Sequence, residues 1–272
     1  MPARSTVHSL ALAASLLPSL AGAQDSIPAR VEREPLVTRR DLLAAGGVLA
    51  ASALLTIWDR DVYRAFQDSS VQDNRSLRRG VDAFNYLQET YLTVGGLAAW
   101  GVGRLTRQRT VADIGFHVAE AVFVASAASQ LVRGPLGRAR PTTNGGADQY
   151  VFQPFKGFRE FEYRAFPSIH SSSGFAAATV ITREVAERWP AQKGWVGPVA
   201  YALAATPGLS RMYLGQHWMS DVVMGAAVGI IAGQRVVTYN HRNPGNAVNR
   251  FFLGRAATVD PPVLRFGIER KF

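Results

Sequence analysis

The sequence predicts an all-α protein, a helical bundle of about six helices, and three observations lead there. Six apolar segments, at roughly 42–58, 86–104, 111–132, 171–189, 194–209 and 217–238, are each long enough for several helical turns. They are rich in Ala, Leu, Val and Gly and lack the strict alternation of a half-buried strand. Charged connections and prolines separate them: Pro190 ends one, and Pro135 and Pro141 break the chain after another. At 272 residues the chain has ample length for one core.

Taken in order, residues 1–23 read as an export signal. Arg4 supplies a positive start, Leu10 to Leu20 is apolar, and Ala21-Gly22-Ala23 offers a small-residue cleavage site before Gln24. A polar segment follows over 24–40. Across its end, Thr38-Arg39-Arg40-Asp41-Leu42-Leu43 loosely resembles a twin-arginine export motif. The same residues fit a helix N-terminus with Asp41 in the capping region. A helical domain then occupies 41–239. Its third apolar segment carries Asp113, His117 and Glu120, the last two read as a polar pair inside the bundle.

The longest non-helical connection is 133–166, holding Thr142-Thr143-Asn144-Gly145-Gly146 and the aromatic string "FQPFKGFREFEYRAF". A loop of that length in a compact domain tends to be functional, and its aromatics from Phe152 to Phe166 are expected to pack it. After Gln234 the apolar pattern stops, so 240–272 is expected to be a tail with His241 exposed. Its end, "PPVLRFGIERKF", alternates weakly, as an extended stretch or a short strand does. Several helices are only just long enough for the roughly 20 apolar residues of a bilayer span. A spanning bundle and a soluble one therefore both fit. Lys and Arg occur in every connection, so charge asymmetry does not orient the chain.

The net charge of +10 comes mostly from arginine and favours anionic ligands such as phosphates or anionic lipids. No polybasic run or basic–aromatic repeat is present, which argues against nucleic acid. The absence of cysteine excludes disulfides and cysteine-ligated zinc or iron–sulfur sites.

Three short strings stand out against this apolar background. "RGPLGRARP" sets Arg133 six residues before Arg140-Pro141. "PSIH", Pro167 to His170, opens a helix of Ser and Ala. "SRMYLGQHWMSD" joins Ser210-Arg211 to His217 and Asp221, whose spacing of four puts them on one helix face.

In this order and at these intervals, the strings resemble the three signature motifs of the type 2 phosphatidic acid phosphatase and vanadium haloperoxidase superfamily. That pattern has a lysine, six residues and Arg-Pro; then Pro-Ser-Gly-His; then Ser-Arg, five residues, His, three residues and Asp. Two positions depart from it. Arg133 stands for the lysine, keeping the charge and adding a planar fork for phosphate oxygens. Ile169 stands for the glycine, where a β-branched side chain resists positive φ and narrows the pocket.

The resemblance covers about residues 125–235 and implies a phosphatase site in a helical bundle, with the first two motifs on either side of the long loop. It implies that Arg133, Arg140, Ser168, Ile169 and Arg211 bind phosphate. Phosphoryl transfer is largely positioning and charge stabilisation, which suits three arginines and a helix start. His217 becomes the nucleophile, Asp221 fixes its tautomer, and His170 is the general acid for the leaving alkoxide. No metal or other cofactor is required. Phosphomonoesters and lipid phosphates or diphosphates are the expected substrates, with the protein exported to the envelope, periplasmic or membrane-associated. Two competitors follow from the same strings: a vanadate-dependent haloperoxidase, with vanadate as cofactor, and a non-catalytic phosphate-binding membrane protein.

Overall fold

Each of the six apolar segments forms a helix, and the class is all-α. The computed structural model describes residues 38–84 and 87–254. The six are α1 (Arg39–Leu55), α5 (Glu89–Leu105), α6 (Arg109–Leu136), α7 (Ile169–Arg188), α8 (Lys193–Tyr213) and α9 (Met219–Arg242). Among the described residues the only β pairing is an isolated bridge between Arg138 and Phe152. The proposed signal over 1–23 and the final "PPVLRFGIERKF" lie outside the described residues.

Local signals explain most boundaries. Thr38 caps α1 in a reciprocal capping box with Asp41, as expected of that stretch. Gly137 ends α6 in the left-handed region at φ 61°, where glycine carries no steric cost. Ser168 caps α7, its Oγ accepting from Ser171 N at 3.4 Å.

Three expectations are corrected. Residues 59–84, read as a charged connection, form α2 (Asp59–Gln67), α3 (Ser69–Gln72) and α4 (Arg75–Phe84). These helices are too polar to register as apolar runs. Pro135 does not break α6, because it falls in the last turn and the helix closes a residue later. In α8, Pro207 also sits inside a helix, and Thr206 Oγ1 donates to the freed Leu203 carbonyl at 2.7 Å. The tail is partly structured: α9 runs on to Arg242, and α10 (Ala247–Leu253) stacks Phe252 on Phe116 with ring centroids 4.7 Å apart.

The core lies where α6, α7 and α9 meet, with Val122 and Ala125 facing Ala176, Val180, Val236 and Val237. Glycines allow the close approach. A side chain on Gly229 of α9 would place its Cβ 2.8 Å from Ala176 N and 3.0 Å from the Phe175 Cβ. Gly225 and Gly233, four residues either side, meet α7 in the same way. Three stretches are long and apolar enough to cross a membrane: Arg39–Gln67, Arg109–Leu136 and Met219–Arg242. Their outward leucines, including Leu43, Leu54 and Leu131, are exposed.

Candidate active site

The three strings converge at one end of the central helices. Arg133 occupies the last turn of α6, His170 the first turn of α7, and Arg211 the last turn of α8. Arg140 lies just beyond α6, at the start of the α6–α7 connection. The first two motifs are tied to the third through backbone: Ser168 N donates to Asp221 O at 2.9 Å, and Thr142 N to Gly215 O at 3.2 Å.

His217 is not helical, contrary to the one-face reading of the His–Asp spacing. It precedes Trp218, the N-cap of α9, while Asp221 sits in the first turn and accepts from Trp218 N at 2.8 Å. The aspartate therefore caps its own helix and meets the histidine from that turn, Oδ2 standing 3.6 Å from His217 Nδ1. Both groups are fully buried.

The electrostatics favour an anion. Arg211 donates to His170 Nε2 at 2.6 Å, so that nitrogen is unprotonated as the site stands. Burial, with Arg211, His217, Arg133 and Arg140 adding positive charge, pushes His170 down to about 2. Burial also lowers His217, to about 4, Asp221 opposing it and Arg140 and Arg133 reinforcing it. Burial and then Arg133 and Arg211 bring even the Arg140 guanidinium down to about 9. Buried Nε atoms of Arg133 and Arg211, and both ring nitrogens of His217, have no hydrogen-bond partner among the described residues. Buried donors and positive charge without a counterpart are what a phosphate dianion would satisfy.

The remaining contacts hold the arginines in place. Arg140 donates to Gln216 Oε1 at 2.6 Å and lies over the Phe161 ring at 3.8 Å. Arg133 donates to the Arg164 carbonyl at 2.5 Å. The structure thus brings together Arg133, Arg140, His170, Arg211, His217 and Asp221. Ser168 is buried with its Oγ committed to the α7 cap, accepting from Ser171 Oγ at 3.2 Å as well as from its amide. Ile169 is buried in ordinary helical geometry, so its expected conflict with positive φ does not arise.

Sequence reasoning missed Arg138, which lies between Arg133 and Arg140 in the first string. It is buried and pairs with Asp221 Oδ1 at 2.5 Å and with Asp59 Oδ2 at 2.8 Å. A third arginine in "RGPLGRARP" was a visible signal. Its partner Asp59, in a plainly charged stretch, gave none.

Three further readings change. His117, read with Glu120 as a pair inside the bundle, lies within electrostatic reach of Glu120 but hydrogen-bonds Glu184 at 2.6 Å, and Glu120 accepts from Asn240. His241 is not simply exposed, since it contacts Glu184 at 3.0 Å and Glu187 at 2.9 Å. Its place at the end of α9 turns it towards α7. Among the described residues, His117, Glu184 and His241 are close enough to share a metal ion, yet Glu184 already pairs with Arg188. The loop aromatics divide: Tyr163 and Phe166 are buried, whereas Phe155 and Phe158 are 67 and 59 % exposed and stack on each other with ring centroids 6.5 Å apart.

Fold and site together define a helical, anion-receiving His–Asp centre lined with arginine. Residues 114–244 match the PAP2 superfamily model. It is similar to a lipid A 1-phosphatase of Porphyromonas gingivalis, 40% identical over 70 residues, or 26% of this chain and 15% of that protein. A lipid A 1-phosphatase of Rhizobium etli is 32% identical over 122 residues, 44% of this chain and 47% of that one. The chain thus spans less than half the length of these curated relatives. Among solved structures it is similar to a transmembrane PAP2-type phosphatidylglycerolphosphate phosphatase from Bacillus subtilis. That likeness has 20% identity and a TM-score of 0.34 over 70% of this chain and 96% of that one.

Proposed function

We propose that the protein is a membrane-associated lipid phosphate phosphatase of the cell envelope that works through a phosphohistidine and needs no metal. The observation that carries this reading is the buried His217–Asp221 pair, with the His170 ring 6.4 Å from that of His217 and the charges of Arg133, Arg140 and Arg211 acting on it. Arg133, Arg140 and Arg211 receive the phosphate oxygens. His217 Nε2 attacks phosphorus as the ester P–O bond breaks, and Asp221 accepts from Nδ1–H and stabilises the imidazolium. His170 gives its proton to the leaving alkoxide, then takes one from the water that attacks the phosphohistidine, releasing phosphate.

A bound phosphate gives His170 the proton this role needs. The dianion draws Arg211 away from Nε2 and adds negative charge beside the ring, both of which raise its proton affinity. The named relatives act on lipid A, and exposed leucines on apolar helices suit a lipid-borne substrate. The substrate is accordingly read as a phosphate monoester on a lipid.

The test is phosphate release by the full chain in detergent, from lipid A, phosphatidic acid and a soluble aryl phosphate, with and without chelator. Lipid phosphates should be preferred and chelator should have no effect. His217→Ala should remove turnover by several orders of magnitude while still binding vanadate, because the arginines hold the anion. Near-normal turnover by that variant, or activity restored only by a divalent metal, would overturn the mechanism.

A further inference from the structure

Asp221 has two oxygens, and their partners are sharply divided. Oδ1 accepts from Arg138 Nη1 at 2.5 Å, whereas Oδ2 accepts from Trp218 N and faces His217. A carboxylate free to rotate would exchange these roles. Arg138 prevents that only while its own guanidinium is held. Holding it are Asp59 Oδ2 on Nη2 at 2.8 Å and the Gln149 carbonyl, on Nη2 at 3.0 Å and on Nε at 3.3 Å.

Ser220 closes the arrangement. Its Oγ donates to Asp59 Oδ2 at 2.6 Å and accepts from Arg138 Nη1 at 2.7 Å. Its backbone N–H donates to Asp59 Oδ1 at 2.8 Å, so Asp59 also anchors the first turn of α9, one residue before Asp221. Asp59, Arg138, Ser220 and Asp221 are all essentially buried. Two buried carboxylates sharing one guanidinium leave a net negative charge behind the imidazole, where it supports the cation that forms on attack.

We infer that Asp59 and Arg138 are positioning residues for the proposed reaction, a relay in which Asp59 fixes Arg138 and Arg138 fixes the orientation and basicity of Asp221 towards His217. The inference rests on the phosphatase reading for its kinetic consequences but not for its geometric ones. Asp59 opens α2, ahead of the stretch 114–244 that the family model covers. The relay therefore adds to the site a residue that the three strings do not contain.

The experiment compares Asp59→Asn, Ser220→Ala and Arg138→Lys with the unaltered full chain in detergent. Asp59→Asn should lower kcat by about 10- to 100-fold, as loss of a partner behind a ligating or reacting group commonly does. KM and vanadate affinity should stay unchanged, because the anion-binding arginines are untouched. Arg138→Lys should not restore function, since one ammonium cannot serve both carboxylates in a fixed fork. Ser220→Ala removes one hydroxyl and should fold, with a several-fold loss in kcat.

Two readouts separate positioning from mere stability. Asp59→Asn should have little further effect in an Asp221→Asn background, since both act through one carboxylate. In protein labelled at histidine with nitrogen-15, the His217 ring resonances, assigned by His217→Gln, should move in Asp59→Asn and in Ser220→Ala. Activity falling only in step with thermal stability, with additive losses and unmoved His217 signals, would overturn the inference. No turnover by the unaltered chain on any phosphate ester would instead overturn the phosphatase reading, and the His217 signals would still decide the relay.

Discussion

Burial, complete for His217 and partial for His170, together with the neighbouring arginines disfavours a charge on either histidine, so both are neutral in the fold. This has a consequence for stability. Each imidazole binds a proton in the unfolded chain near the ordinary value of 6.5, whereas in the fold His217 does so only near 4 and His170 near 2. Below 6.5 the unfolded chain therefore holds more protons, and stability rises with pH between about 4 and 6.5. The melting temperature measured across that window should climb with pH and level off above it. Saturating vanadate should flatten the slope, because an anion lets the histidines charge in place. The residues behind this behaviour were legible in the sequence, since each motif is a local string with fixed internal spacing. What was not legible is how they meet. Asp221 reaches His217 from a capping turn rather than along a helix face, and Arg138 pairs with a residue 79 positions away. No local pattern reports a partner at that distance.

At the scale of elements, the contact of α7 with α9 matters most, because their N-terminal turns carry His170 and Asp221. Gly229→Ala would drive a methyl group into the backbone of α7 at Ala176. The two helices must then separate, at a cost of about 1–3 kcal/mol for overpacking. A lowered melting temperature should accompany a fall in kcat larger than the loss of folded protein explains, as the turns bearing His170 and Asp221 shift. Unchanged stability and turnover would mean that the helices are not packed so closely. The glycines stand in the sequence as Gly225, Gly229 and Gly233, and the apolar runs place the helices that bear them. The polar helices α2 to α4 escaped because apolar length was the signal sought. The prolines of α8 misled less than Pro135, since that helix was expected to run through them.

For the whole molecule, three stretches are long and apolar enough to cross a membrane, and their outward leucines are largely exposed. The protein should therefore stay in the membrane pellet after alkaline carbonate and leave it only with detergent. Export predicts in addition a mature chain beginning at or near Gln24, which N-terminal sequencing reads directly. Release by carbonate alone would argue against spanning. Asp59 bears on a different question, that of autonomy. Its carboxylate neutralises Arg138, Ser52 of α1 donates to the Ser220 carbonyl, and Gln67 and Gln72 donate to the Tyr213 carbonyl. A fragment cut at residue 114, where family likeness begins, would carry a buried guanidinium stripped of one counterion and carbonyls stripped of their donors. The stretch that the family model matches is therefore shorter than the one whose contacts complete the buried charge pairs and carbonyls of the site.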